Sequence, residues 1–373
     1  MRRSFLALVT AAALLASGGA SLAKSLVDLA GRQVEVPDRV ERVILGEGRF
    51  VPILGILDRE DPTRRVIGQL GEWQRTDPGG YAEYLERFPR LAKIPLIGQT
   101  SSDSFNIESA ISLRPDVAIL GIEGHGPSSK DAETIRRLEA AGVAVLFVDF
   151  RREPLANTPK SMKLLGQLLG RESEAGEFVD YYDKQLALVS QRLASLPGKK
   201  PTVFLESRVG FGEECCPTMV HGMMGRFVDW AGGENIGKDR IPGVSGVLSL
   251  EYLLTAQPDV YIGTAVGNPK TATAKSFRVM LGAGVGRDQA RESLRHALTR
   301  TGFADLKAVA GGRAFAVWHS FYNSPFNVAA VQAMAKWLHP QLFADLDPEE
   351  TLRTLYAKFQ PVPLAGTYWI GLE

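Results

Sequence analysis

The chain has 373 residues, 43 Lys+Arg against 42 Asp+Glu, with 45% hydrophobic and 23% charged residues. That balance supplies ample core material for two domains and offers no basic surface for nucleic acid or an anionic membrane. The two cysteines are adjacent, at positions 215 and 216, so no long-range disulfide is available and the fold must stand on its apolar core.

The N-terminus opens with Met1-Arg2-Arg3, an apolar run from Phe5 to Ala16, and small residues ending in Ser21-Leu22-Ala23. A basic start, an h-region of about 12 residues and an A-x-A-like site predict a secretory signal peptide over 1–23, removed on export. The run is too short to span a membrane, which takes about 20 residues. No cysteine lies near the cleavage site to carry a lipid anchor, so a soluble, periplasmic mature chain of 350 residues with net charge −1 is expected. The arginine pair leaves the Sec and twin-arginine routes both open.

From Arg42 onward, short apolar runs alternate with helix-like segments: Val43–Gly46, Val66–Gly68, Pro95–Gly98, Val117–Leu120 and Val145–Asp149. The last follows an amphipathic helix over Ile135–Ala141 that stops at Gly142. Alternation of this kind predicts βα units and a mainly parallel sheet. A continuous helix is predicted from about Arg171 to Leu196, with Ala175, Phe178, Val179, Tyr182, Leu186, Val189, Leu193 and Leu196 on one face. Gly170 closes the segment before it, and Pro197-Gly198 stops it. The alternation then returns at Val203–Glu206, Val260–Gly263 and Ala314–Trp318, followed by helical stretches through Ala329–Leu338 and Leu346–Tyr356. The predicted fold is α/β: two lobes, each a mainly parallel sheet flanked by helices, joined by one long rigid helix. The N-terminal lobe takes 24–157, the connecting segment with the long helix 158–197, and the C-terminal lobe 198–373.

An internal repeat supports two matched lobes. Ile107-Glu108, six residues, then Pro115-Asp116-Val117 recurs as Leu250-Glu251, six residues, then Pro258-Asp259-Val260, an offset of 143 residues without a gap. Each copy reads as a short helix opening at the glutamate, a proline, an aspartate turn and a buried strand. Two roles stand for the glutamates: stabilising a first helical turn through the helix dipole, or docking a partner.

In parallel sheets ligands sit outside the carboxyl ends of the strands. Glu47, Arg49, Phe50, Trp73, Arg75, Thr100, Ser101, Glu123, His125, Arg151 and Arg152 follow strands of the first lobe. Ser207, Arg208, Phe211, Thr264, His319, Phe321 and Tyr322 follow those of the second. Charge directly after a buried strand needs a partner, which singles out Arg49 and Arg208. Trp73 and Phe50 also read as inter-lobe core, Arg151-Arg152 as a solvated helix start, and Tyr322 as loop packing. None of the five histidines has close metal-ligand spacing, so no bare metal site is expected. The sequence contains no G-x-S-x-G elbow, zincin helix, P-loop or complete G-x-G-x-x-G, and no enzymatic activity is expected.

Asp28–Pro37 with Arg42-Val43-Ile44, both copies of the repeat and the bridging helix together resemble the periplasmic binding proteins of ABC importers for iron complexes and vitamin B12. The resemblance implies two lobes facing each other across a shallow cleft, small closure on ligand binding, and a monomer. It also implies an exposed glutamate on each lobe, here Glu108 and Glu251, docking onto arginines of the transmembrane permease. The resemblance says little about the ligand; the arginines and aromatic rings that dominate the strand-end set match a ferric, siderophore-like complex, and no resident cofactor is expected. Such complexes are bulky and anionic, so Arg49, Trp73, Arg208, His319 and Tyr322 are the expected ligand residues, offering guanidiniums and flat rings. Two alternatives stay within the superfamily. One is haem; the other is molybdate or tungstate, since Ala335–Pro340 with Phe343 and Asp345-Leu346-Asp347 is similar to stretches in oxyanion-binding members, and Thr100–Ser102 offers donors for a small anion. Cys215-Cys216 departs from the family's general pattern, and three readings stand: a vicinal disulfide shaping the ligand loop, packed free thiols, or a metal or redox site.

Overall fold

The computed structural model describes residues 23–196, 198–212, 215–271 and 276–372. The leader predicted over 1–23 lies outside these residues except for the backbone of Ala23, as does the predicted helix breaker Pro197. No helix among the described residues is long and apolar enough to cross a membrane.

A hairpin of β1 (Ala23–Val27) and β2 (Gln33–Pro37) precedes the first lobe. That lobe is a four-stranded sheet of β3 (Val43–Leu45), β4 (Val66–Gln69), β5 (Val117–Gly121) and β6 (Ala144–Val148) in the order β4-β3-β5-β6, with every pair parallel. Its strands are continuous apolar runs because helices cover both faces, the usual condition for parallel sheets. The run Pro95–Gly98 does not form a strand: it makes one isolated bridge, Gln69↔Leu96. Pro95 has no N–H to donate, and Leu96 is 52% exposed.

The second lobe is built from β7 (Thr202–Glu206), β8 (Pro217–Met219), β9 (Glu234–Asn235), β10 (Ser245–Val247), β11 (Val260–Ala265), β12 (Ala314–Trp318) and β13 (Trp369–Gly371), ordered β10-β8-β7-β11-β12-β13 with β9 beside β7. Its centre, β7-β11-β12, is parallel as expected, but β8, β10 and β13 run antiparallel, so the sheet is mixed.

The repeat has a structural cause. Asp116 Oδ2 accepts the backbone N–H of Glu41 and of Arg42, both at 2.8 Å, at the entry to β3. Asp259 Oδ2 accepts the backbone N–H and the hydroxyl of Thr202, both at 2.8 Å, at the entry to β7. In each lobe the repeated aspartate fastens the start of one central strand to the turn that launches its neighbour.

The long helix spans Glu172–Leu193, about 33 Å at 1.5 Å per residue. Ala175, Phe178, Val179, Tyr182, Leu186 and Val189 are buried, while Leu193 is half-buried and Leu196 lies exposed beyond the helix end. The helix Pro154–Leu169 runs back against it, ending at Gly170 with φ +64°, the left-handed C-terminal geometry that glycine adopts at least cost. A Cβ on Gly166 would stand 2.6 Å from that of Ala175, so glycine lets the two helices approach. Tyr182 donates to Asn327 Oδ1 at 2.7 Å and Asn327 Nδ2 to Thr158 at 3.2 Å, tying both connecting helices to the C-terminal helix Asn327–Leu338. The last helix, Pro348–Phe359, also reaches the first lobe: Gln360 accepts from Tyr84 and donates to Pro52 O at 3.0 Å.

Candidate ligand-binding site

The strand ends of the two lobes meet around Arg49, on the turn after β3. Its side chain is 7% exposed and its Nε lies 3.2 Å from Glu47 Oε2 and 3.6 Å from Glu72 Oε1, two carboxylates that are themselves 1% and 0% exposed. Arg49 Nη1 donates across the lobes to the Tyr322 hydroxyl at 3.4 Å, and Asn323 Nδ2 donates to Glu47 Oε2 at 2.6 Å. Arg49 Nε itself makes no hydrogen bond, so its contact with Glu47 is an ion pair off the hydrogen-bond axis. Burial works against the Arg49 charge but is outweighed by Tyr322, Glu47 and Glu72, which hold the guanidinium above its ordinary range. Burial pushes the Glu72 carboxyl up to about 7 against the pull of Arg49. Glu72 also accepts the backbone N–H of Gly48 and Arg49 at 2.9 and 3.1 Å, fixing the turn that carries the arginine.

Beside this bridge lies a group of cations. The loop after β6 is held by Asp149, which accepts the backbone N–H of Arg151, Arg152 and Glu153. It places the half-buried Arg151 guanidinium 5.2 Å from the Tyr322 ring centre, with Nη1 buried and without a hydrogen-bond partner. Opposite, the turn after β7 puts Arg208 in the left-handed region at φ +53°, an uncommon conformation for a side chain with Cβ. It is held there by bonds from Arg208 N to Thr264 Oγ1 at 2.7 Å and from Val209 N to Thr264 O at 2.9 Å. The Arg208 and Arg278 guanidiniums each lie 5.0 Å from the ring of Phe211, which is 53% exposed at the rim.

His319 is buried between these groups, with Nδ1 2.9 Å from Thr264 Oγ1 and its ring 4.9 Å edge-on to Tyr322. Burial, then Arg208, Arg49 and Arg151, hold it well below the ordinary imidazole range. His125 is lowered by burial and by Arg49; its Nδ1 lies 2.8 Å from Thr100 O. Both rings are therefore neutral near pH 7, and the positive charge of the cleft belongs to the arginines. Among the described residues Arg151, Arg208 and Arg278 have no ion-pair partner, whereas Arg49 has two.

Of the expected ligand residues, the structure brings Arg49, Arg208, His319 and Tyr322 to this cluster. Trp73, 3% exposed, turns away to pack edge-on against Tyr81 and Tyr84 at 5.4 and 5.3 Å. Arg152 is exposed at the cleft mouth, 3.9 Å from Glu123. At the Thr100–Ser102 turn, Ser104 Oγ accepts from Gln99 N and donates to Ser101 O, and Thr100 O faces His125. Cys215 and Cys216 are joined as a vicinal disulfide, with Cys216 fully buried in the second lobe's core. Glu72, Arg278 and Asn323 escaped the sequence reading. Glu72 was the most accessible of these, an acid directly after β4.

Glu108 and Glu251 are exposed in the first turns of equivalent short helices, Ile107–Ser112 and Leu250–Ala256. The capping hydrogen bonds come from their neighbours instead, Asn106 to Ser109 N at 2.9 Å and Ser249 to Tyr252 N at 3.1 Å. Glu108 pairs with Arg137 on the surface, a contact of little energetic weight.

A family model for periplasmic binding proteins matches residues 76–317. The molybdate-binding protein MolA of Haemophilus influenzae is 22% identical over 360 residues, covering 90% of each chain. The structure of the TroA-like periplasmic binding protein FepB from Veillonella parvula is similar with a TM-score of 0.82 at 27% identity, covering 94% of this chain and 99% of that one. A periplasmic haem-binding protein from Pseudomonas aeruginosa shares the fold with a TM-score of 0.55 at 19% identity, covering 81% of this chain and 94% of that one.

Proposed function

Because the chain belongs to the periplasmic binding protein family, a family of solute carriers rather than enzymes, we propose that it captures an anionic, ferric siderophore-like complex between its lobes and delivers it to an inner-membrane ABC permease. One observation carries the ligand's charge: Arg151 from the first lobe and Arg208 from the second converge on neutral His319 with no carboxylate paired to either among the described residues. A half-buried and an exposed guanidinium converging on one buried ring without counter-ions among the described residues suit an anion. The rings of Tyr322 and Phe211 beside those guanidiniums suit a ligand with flat, apolar parts.

Tryptophan fluorescence of the purified chain tests the assignment with a ferric catecholate complex, haem and sodium molybdate as probes. The ferric complex is expected to saturate the signal at sub-micromolar concentration. Losing a charge-assisted hydrogen bond, about 1.5–3 kcal/mol, should weaken binding roughly 10- to 150-fold in Arg151→Ala and Arg208→Ala. Saturation by molybdate with no response to the ferric complex overturns the reading in favour of oxyanion capture, which the MolA similarity supports.

The docking role of Glu108 and Glu251 is part of the same proposal. Replacing both by alanine is expected to abolish uptake in whole cells while ligand affinity stays unchanged; undiminished uptake removes it.

A further inference from the structure

Beyond the Arg49–Asn323 bridge, a small cavity opens between the lobes. Its walls include six aromatic side chains, Trp73, Tyr84, Trp318, Phe326, Tyr356 and Tyr368. They are fixed against one another, with ring centres of Trp73 and Tyr84 at 5.3 Å, Trp318 and Tyr368 at 5.3 Å, and Phe326 and Tyr356 at 5.2 Å. Two carboxylates, Asp77 and Glu83, line the same space. Asp77 accepts from Gly80 N at 3.2 Å, and its other oxygen stands 3.4 Å from Trp73 Nε1. Glu83, half-buried, has neither an ion pair nor a hydrogen bond among the described residues.

Arg49 also borders the cavity, but its charge is taken up by Glu47 and Glu72. Asp77 and Glu83 therefore face one enclosure as like charges; Asp77 feels Arg49 from the rim, while Glu83 has no ion-pair partner among the described residues. Burial raises both carboxyls, Glu83 to about 7, with Asp77 adding to the shift at Glu83. Either a proton or a cation relieves that arrangement. A hard divalent ion takes six or more oxygen ligands, and no group of three or more His, Cys, Asp or Glu able to hold a metal occurs among the described residues. An organic ammonium fits better, since ring faces attract the cation and carboxylates accept its N–H groups. The cavity is small, about 50 Å³, which suits a short alkylammonium and not a polyamine.

We propose that this cavity is a second ligand site, separate from the anion cleft, which binds a small primary alkylammonium ion with its N–H groups on Asp77 and Glu83 and its alkyl part against the aromatic wall. The site does not depend on the identity of the anionic cargo. Its test is calorimetric titration of the purified chain with ethylammonium chloride at pH 8, against sodium chloride at equal ionic strength, with tryptophan fluorescence read in parallel. Saturable one-to-one binding with a fluorescence change is expected. Affinity should fall at least tenfold in Asp77→Asn and in Glu83→Gln, stay unchanged in the exposed Glu86→Gln, and drop as pH is lowered through about 7, where protons compete at Glu83. Melting followed by circular dichroism verifies each fold, and Glu83→Gln decides the matter if Asp77→Asn does not fold. Absence of saturable binding, undiminished affinity in Glu83→Gln, or displacement of ethylammonium by magnesium at equal concentration overturns the proposal.

Discussion

Replacing Arg49 by alanine separates a structural charge from a ligand-binding one. The substitution removes the one cation paired with Glu47 and Glu72 among the described residues, and those carboxylates are 1% and 0% exposed. Breaking a buried ion pair from one side costs about 3–5 kcal/mol, because the remaining charge keeps its desolvation penalty. At an unfolding entropy of about 2.1 cal/mol/K per residue, roughly 350 folded residues convert that loss into a Tm lower by about 4–7 °C. The pH dependence supplies the sharper test. Glu72 stands at about 7 even with Arg49 pulling it down, above its unfolded value of 4.5. A carboxyl raised on folding favours the folded state at low pH, and that contribution is lost as pH rises through the window between the two values. Without Arg49 the Glu72 carboxyl moves higher and stays protonated at pH 5, so the deficit should be large at pH 8 and smaller at pH 5. Thermal melts of Arg49→Ala and the parent at both values measure it, and adding Glu72→Gln should recover part of the loss at pH 8. Coincident melts at pH 8, or an equal deficit at both pH values, would refute the assignment of Arg49 as an internal counter-ion.

Burial, and then Arg208, Arg49 and Arg151, keep His319 neutral; an anion seated among those guanidiniums offsets their part, so binding should take up protons and affinity should rise as pH falls from 7 to 5. Calorimetry in two buffers of different ionisation enthalpy reads the proton count; proton release contradicts an anionic ligand. Tyr182→Phe leaves Asn327 Oδ1 without its 2.7 Å donor in the packed seam between the connecting helices and the second lobe, and should cost about 1–3 kcal/mol in denaturant unfolding. The signal-peptide reading places the mature N-terminus at Lys24, which N-terminal sequencing of the exported protein checks directly; a retained Met1 would defeat it.

The central strands were legible because burial on both faces leaves continuous apolar runs, and β3, β5, β6, β7, β11 and β12 all lie where such runs end in charge or glycine. The antiparallel edge strands were not. Ser245–Val247 and Trp369–Gly371 have three residues each, too few for any period, and they are strands only because β8 and β12 lie beside them. At the site, the rule that charge after a buried strand needs a partner correctly flagged Arg49. Of its partners, Glu47 lies two residues away in sequence, but Glu72 comes from the next strand end and Tyr322 from the other lobe. Tertiary packing likewise places Trp73: the short helix Glu72–Thr76 turns Glu72 toward Arg49 and leaves the indole against Tyr81 and Tyr84.

Residue type alone does not distinguish the arginines. What makes a guanidinium available to a ligand is the absence of a buried carboxylate within ion-pair distance, and by that measure Arg49 is committed to the protein while Arg151 and Arg208 are not. Arg151 belongs to the first lobe and Arg208 to the second, so an anion that satisfies both becomes the electrostatic link between the lobes. The long helix then needs to permit only the small adjustment that brings two charges onto one cargo. On the proposed reading, recognition and closure would rest on the same pair of side chains.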